Sequence, residues 1–321
     1  MNKLSNKLIR KAGANLSLDQ ENSEDLNIIS TFRTSHIYLM DTLIKTIKNK
    51  LPKPILIARR LKRLSSIKNK LKRFNTMQLD RMQDIAGVRA LFKSDQDVFE
   101  YANNLREIYS KPNTAFELIK ESDYISTSKL DGYRSYHMIF KYIGTKEELK
   151  NRNIELQLRT LLHHYWATAV EIWDIQSRSS IKSGKGDEID KRFFYLCSNL
   201  LNGDSTVIGE IIAIDKEYNI LKKLNNLRVV TNNLTTNKDG YYLASLDYNS
   251  NVLTLIYFNN DDKSILAANT TYKLLETEPN IDSVLVKINE ANRLKKAYPN
   301  YFLDAKNFIK EIKSRLNNIF N

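Results

Sequence analysis

Lys129-Leu130-Asp131-Gly132-Tyr133-Arg134-Ser135-Tyr136-His137, followed by Glu155-Leu156-Gln157-Leu158-Arg159-Thr160, is the stretch from which the fold is read. In its second half Ile154, Leu156 and Leu158 alternate with Glu155, Gln157 and Arg159, the period of two that marks a half-buried strand. One face then carries a carboxylate, an amide and a guanidinium, as the floor of a site does. In the first half Gly132 permits a sharp turn. An aromatic ring, a guanidinium, a hydroxyl and an imidazole follow it within five positions. That mixture suits a nucleotide, whose base needs stacking and whose phosphates need donors. A plain hairpin has the same alternation.

Outward from this stretch, residues 84–92 (Asp-Ile-Ala-Gly-Val-Arg-Ala-Leu-Phe) are short, apolar and bounded by charge, which predicts a central strand. Upstream, apolar positions at helical spacing predict a helix over 26–50, ended by Pro52 and Pro54. Residues 55–74 read as a linking segment and a short helix, with Ser65-Ser66 as N-cap for 67–73. A helix over 96–109 is stopped by Pro112, and strands are expected at 116–121, 133–142 and 154–160. A helix over 161–174 carries Leu162, Trp166, Ala169, Val170 and Trp173 on one stripe. The order predicts an α+β domain with a mostly antiparallel sheet flanked by helices. Residues 177–187, rich in Ser, Gly and Lys, read as a connector; Ser183-Gly184-Lys185 lacks the upstream glycine of a phosphate-binding loop. Beyond it come helices to about 227, a hairpin of 241–247 and 252–258, a helix over 264–276, a strand at 283–288, and terminal helices from 289. The expected division is thus residues 1–185 and a smaller α+β unit of 186–321.

The chain has 321 residues and a formal charge of +13, enough length for two cores and enough charge to imply a polyanionic partner. No stretch approaches the ~20 apolar residues of a membrane span, and no signal-peptide pattern follows the N-terminal lysines, so a cytoplasmic, membrane-free protein is expected. The single Cys197 excludes an internal disulfide and a cysteine-rich zinc site, and reads as a buried small hydrophobe. Twelve lysines and arginines lie in residues 45–73, with no acid between Asp41 and Asp80. Such a run is either a solvated helix face or a surface for backbone phosphates. Aromatic residues for reading bases are nearly absent from it. Asp84 and Glu155 share one magnesium ion if their strands are neighbours; alternatively each pairs with a nearby arginine.

Taken in order, Arg60-Leu61-Lys62, Ser66-Ile67, Lys70, Asp84-Ile85-Ala86-Gly87-Val88-Arg89, Asp123-Tyr124-Ile125, Lys129, Gly132-Tyr133-Arg134-Ser135, His137, Glu155-Leu156-Gln157-Leu158-Arg159-Thr160 and Trp166-Ala167 resemble the RelA/SpoT synthetase family over residues 26–174. The resemblance implies an enzyme that moves an intact pyrophosphate from ATP to a ribose 3′-hydroxyl. It implies that Asp84 and Glu155 hold magnesium, with Glu155 also activating the acceptor hydroxyl. Arg60, Lys62, Ser66, Lys70, Lys129 and His137 would contact ATP, and Tyr133, with Arg134 beside it, the acceptor. Those roles suit a reaction that is mostly positioning and charge neutralisation.

Three departures bear on the acceptor. Ser122 stands where the family commonly has a lysine, Ser128 where it has a proline, and Asp131 where it has an asparagine. After Thr160, Glu171 is followed by Ile172 in place of a Glu-His pair. These features resemble the toxic small synthetases, particularly the fused toxin–antitoxin CapRel type. That branch implies transfer to the CCA end of tRNA, with Lys68, Lys72 and Arg73 on the tRNA backbone. It also implies that Tyr298 and Tyr301 cover the chain's own ATP site until a phage structural protein, such as a capsid protein, binds the C-terminal unit. Two tyrosines around Pro299 are equally ordinary packing at a helix junction. A (p)ppGpp- or ppApp-type nucleotide synthetase is the alternative enzyme, and a catalytically dead RNA- or protein-binding chain the non-enzymatic reading. None of His36, His137, His163 and His164 precedes an Asp, so the His-Asp hydrolase of the long enzymes is not expected.

Overall fold

The computed structural model describes residues 4–177, 186–226, 230–232, 239–250, 252–278, 280–288, 294–295 and 297–317. Most of the 177–187 connector, Ser183-Gly184-Lys185 and the start of the expected terminal helices at 289–293 lie outside the described residues. Two compact units divide the chain: Met1–Asp123 with Tyr136–Arg159, and Tyr124–Ser135 with Thr160–Asn321. The expected division at residue 185 falls inside the second unit.

The first unit opens with α1 (Asn6–Ser17), whose first turn is capped by the Ser5 hydroxyl accepting from Leu8 N at 3.3 Å. A reciprocal box between Asn22 and Asp25 starts α2 (Ser23–Ile47). The strands are β1 (Leu56–Leu61), β2 (Ala86–Phe92), β3 (Phe116–Asp123), β4 (Tyr136–Tyr142) and β5 (Asn153–Thr160), with α3 (Leu64–Arg73) after β1 and α4 (Asp95–Tyr109) after β2. They form one sheet in the order β1-β2-β5-β4-β3. The pairs β1–β2, β3–β4 and β4–β5 are antiparallel. Ala86, Val88, Ala90, Ile154, Leu156, Leu158, Met138 and Phe140 are completely buried, and α2 and α4 pack on the sheet. Each Val, Leu, Ile, Met or Phe among them contributes on the order of 1.5–3 kcal/mol of burial. Because side chains alternate, the residues between them are committed to the opposite, polar face.

The second unit holds α5 (Leu161–Ser177), α6 (Glu188–Leu201), α7 (Ile208–Tyr218) and α8 (Ile220–Asn226). Then come β6 (Val230–Asn232), β7 (Gly240–Asp247), β8 (Val252–Phe258), α9 (Asp262–Leu275), β9 (Ile281–Ile288) and α10 (Lys306–Asn317). Its sheet runs β6-β8-β7-β9, with α9 packed on it. Meanwhile α10 lies on α5, α6 and α8. The α+β class is as read from the sequence. So is the hairpin of β7 and β8.

Four local readings are corrected. Residues 56–61 form an edge strand, β1, which the paired Arg59-Arg60 hid by breaking the alternation. The start of α3 is Leu64, with Arg63 at the N-cap and no side-chain cap bond, in place of the Ser65-Ser66 cap. Asp84 precedes β2 and does not open it. Lastly, β4 begins at Tyr136 because Gly132, at φ +87°, turns the chain in a loop that runs on to Ser135. Among the described residues no helix is long and apolar enough to cross a membrane, and Cys197 is a buried free thiol.

Candidate functional site

On the polar face of the first sheet, Glu155 and Gln157 alternate with the buried Ile154, Leu156 and Leu158. The β4–β5 register sets His137 opposite Gln157 and Ile139 opposite Glu155, so His137 is the diagonal neighbour of Glu155. Its Nδ1 lies 2.8 Å from Glu155 Oε1. Gln157 donates to Glu155 Oε2 at 2.7 Å and accepts from Arg159 at 2.8 Å. Burial pushes the Glu155 carboxyl up, but the hydrogen bond and charge of His137, the Gln157 amide and the Lys70 charge outweigh it, bringing it down to about 2.

Asp84 is gripped from two elements. Lys62, just past β1, donates to Oδ2 at 3.0 Å, and Lys70 of α3 to Oδ1 at 2.9 Å. A backbone bond from Lys62 N to Ile85 O at 2.8 Å fixes the approach. Burial raises the Asp84 carboxyl, yet the two ammonium charges and their hydrogen bonds leave it below its usual value. Lys62 is also pulled down, first by burial, which Asp84 does not fully offset. The Lys70 charge acts on both carboxylates, so Asp84 and Glu155 belong to one electrostatic cluster. The structure thus gathers five of the expected residues: Lys62, Lys70, Asp84, His137 and Glu155. Arg60 is exposed, with its charge reaching Lys62, and Ser66 is half-buried in the first turn of α3.

Gly87 escaped the sequence reading. It pairs with Arg60 across β1–β2, on the face opposite the buried Ala86 and Val88. A Cβ built there meets no described atom within 4 Å, so packing does not demand a glycine. The signal was available, because glycine inside a strand often marks close approach of a ligand.

Magnesium fits in a limited way. Carboxylate oxygens are the donors it prefers, but all four oxygens of Asp84 and Glu155 are already engaged by side chains. Among the described residues no group of three or more His, Cys, Asp or Glu side chains is placed to hold a metal. Asp84 and Glu155 would therefore hold the ion together with nucleotide phosphates, the usual way magnesium is bound.

The basic run is less naked than its sequence implies. Lys68 pairs with Asp19 at 2.7 Å and Glu21 at 2.8 Å, and Lys72 with Asp19 at 2.5 Å. Arg59 pairs with Asp41, and Arg73 sits over the Phe74 ring at 5.4 Å. The acids on Lys68 and Lys72 come from the α1–α2 connection, far away in sequence, and Asp41 from α2 itself.

The loop Tyr124–Ser135 belongs to the second unit. Lys129 Nζ lies 4.4 Å from the Tyr124 ring centre and 4.9 Å from that of Tyr133, and Tyr133 is 7 % exposed. Arg134, expected at the acceptor, is buried and donates to Ile125 O at 2.6 Å and Asn199 Oδ1 at 3.2 Å. Tyr298 and Tyr301 are buried in the same unit, edge to face at 6.4 Å, and the Tyr301 hydroxyl donates to Asp282 at 2.8 Å.

Residues 59–175 match the family described as the region found in RelA / SpoT proteins. The GTP pyrophosphokinase YwaC of Bacillus subtilis (strain 168) is 31 % identical over 115 residues, 34 % of this chain and 52 % of that protein. YjbM, a GTP pyrophosphokinase of the same organism, is 33 % identical over 112 residues, 34 % of this chain and 51 % of its own length. The chain spans about half the length of these curated relatives. Among solved structures, small alarmone synthetase 1 from Bacillus subtilis bound to its product pppGpp is similar at 23 % identity and a TM-score of 0.44, covering 58 % of this chain and 94 % of that one.

Proposed function

We propose that this chain is an ATP-dependent pyrophosphokinase whose acceptor is the 3′-hydroxyl of a guanosine nucleotide. The observation that carries the reading is the cluster of Asp84, Lys62, Lys70, His137 and Glu155, inside the segment that matches the RelA / SpoT region. Relatives named GTP pyrophosphokinases support the choice of acceptor.

In this reaction the acceptor oxygen attacks the β-phosphorus of ATP, the bond from that phosphorus to the oxygen bridging to the α-phosphate breaks, and AMP leaves. Lys62 and Lys70 exchange Asp84 for phosphate oxygens, placing two cations where charge shifts. Asp84 and Glu155 would hold a magnesium ion together with the phosphates, and the ion would supply further neutralisation. With its carboxyl at about 2, Glu155 is fully ionised at neutral pH but is a weak base. It orients the hydroxyl and takes its proton as bond formation acidifies it. The family resemblance assigns Tyr133 to the acceptor and Lys129 to ATP; within the first unit, the space above Gly87 leaves room for the nucleotide.

A second reading is the fused toxin that modifies the tRNA CCA end, with its C-terminal half restraining it until a phage protein binds. The charge of +13, the cation lost at Ser122 and the acid added at Asp131 favour it; the acids on Lys68 and Lys72 weigh against it. One experiment decides: ATP labelled at the β-phosphate, with GDP, GTP or tRNA as acceptor and Glu155→Gln as control. Label on the guanosine nucleotide is the expected result. Label on tRNA alone moves the assignment to the toxin, and label on no acceptor ends the pyrophosphokinase reading.

A further inference from the structure

The Tyr124–Ser135 loop connects two strands of the first sheet, yet it is grouped with the helices of the second unit. Its attachments explain why. Gly132 O accepts from the Ser198 hydroxyl of α6 at 2.5 Å. A Cβ on Gly132 would lie 3.1 Å from Ser198 Cβ, 3.1 Å from Tyr195 Cα and 3.3 Å from the Trp166 ring. Loop backbone therefore rests directly on helix backbone, and glycine is required there both by its φ of +87° and by that contact.

Arg134 fastens the loop's two limbs. Its Nη1 donates to Ile125 O at 2.6 Å, Nε to Ser198 Oγ at 3.3 Å and Nη2 to Asn199 Oδ1 at 3.2 Å. One turn earlier in α6, Phe194 O accepts from Trp166 Nε1 at 2.7 Å, which ties α5 to α6. Inside the loop, Lys129 N donates to Tyr133 O at 3.1 Å, Gly132 N to Lys129 O at 2.8 Å, and Tyr133 N to Asp131 Oδ1 at 2.9 Å.

We infer that α6 is the pedestal of this loop and that Ser198 and Asn199 are positioning residues for the acceptor, acting through Gly132 and Arg134. The inference rests on the pyrophosphokinase reading for the identity of the bound nucleotide, and on geometry alone for the pedestal. Residues 188–201 then belong to the working enzyme. A separable regulator cannot include them.

The test uses the full chain. Ser198→Ala removes the donor to Gly132 O; Asn199→Leu removes the acceptor for Arg134, and Asn199→Asp restores an oxygen at the same place. Amide hydrogen exchange of residues 125–134 is expected to rise about tenfold in Ser198→Ala and Asn199→Leu, the scale of one lost buried hydrogen bond, with β2 and β5 unchanged. The KM for GDP or GTP is expected to rise about as much while kcat at saturation stays within about threefold. Asn199→Asp is expected to behave as wild type. Uniformly faster exchange across the second unit means that these side chains only pack α6 and overturns the inference, as does an unchanged loop. Loop-confined exchange with an unchanged acceptor KM overturns the acceptor role. If wild type transfers no pyrophosphate, the functional reading fails by itself, and loop exchange still judges the pedestal.

Discussion

Asp84 and Asp282 are both withdrawn from solvent, in different ways. The Asp84 side chain is 22 % exposed and is held by two lysine ammonium groups at 3.0 and 2.9 Å. Asp282, near the start of β9, is 4 % exposed and accepts from the hydroxyls of Tyr248 at 2.7 Å and Tyr301 at 2.8 Å. Mobile cations at a partly open carboxylate are exchangeable, since phosphate offers Lys62 and Lys70 the same partner chemistry. Hydroxyls on rings packed into a core are not. The first arrangement suits a ligand site, and the second fastens Tyr301 to the sheet.

The sharpest way to break this contrast is in the exchangeable cluster. Glu155→Gln is expected to lower pyrophosphate transfer by about 10²–10⁴-fold with the thermal transition retained. Asp84→Asn is expected to lose transfer while binding metal-free ATP more tightly than wild type, because two lysines are released from their carboxylate. Calorimetric titration of ATP in chelator checks this, and weaker binding means that Asp84 does not compete with phosphate.

A smaller effect comes from His36, buried on α2 with Nδ1 2.8 Å from Phe32 O. Burial, more than the nearby Arg152 charge, lowers it from 6.5 to about 4. The unfolded chain takes up this proton near pH 6.5 and the folded one only near pH 4, so stability falls as pH drops through that window. The loss amounts to roughly 3 kcal/mol. Denaturant titrations at several pH values should show it. His36→Gln should flatten the slope between those values, and an unaltered slope removes His36 as the cause.

Next in size, Tyr301→Phe withdraws one donor from a buried carboxylate. A cost of about 1–3 kcal/mol is expected, measured as lower stability of the second unit with metal-dependent ATP binding unchanged. If Tyr301→Phe instead raises activity without loss of stability, the tyrosine is part of a switch. The smallest effect is expected from Asp19→Asn with Glu21→Gln. Their partners Lys68 and Lys72 are near the surface, where ion pairs contribute little, so Tm should hardly move. Tighter tRNA binding with a steeper salt dependence would nonetheless favour the toxin reading; unchanged binding removes these lysines from any nucleic-acid surface.

Much of the framework was legible from residues. The alternation of residues 154–158 placed Glu155 and Gln157 on one face, and the 241–258 pattern predicted the β7–β8 hairpin almost to its ends. The edge strand β1 was hidden because Arg59 and Arg60 occupy both faces in succession, and Gly87 because an unfilled space leaves no mark except the missing side chain.

The sequence by itself determined the α+β class and the polar strand face, since these follow from spacings of two to four residues that local backbone geometry dictates, while the candidate carboxylates Asp84 and Glu155 were marked by the order of motifs that carries the family resemblance. Tertiary structure alone decided which charges meet. Lys68 finds Glu21 across 47 positions and Ser198 finds Gly132 across 66, and no local period encodes such partners. Those contacts arise when elements pack and buried donors must be satisfied by whatever the fold brings near. They turned an apparently bare basic run into a partly compensated one, and seated the Tyr124–Ser135 loop on a helix that the sequence had placed in another domain.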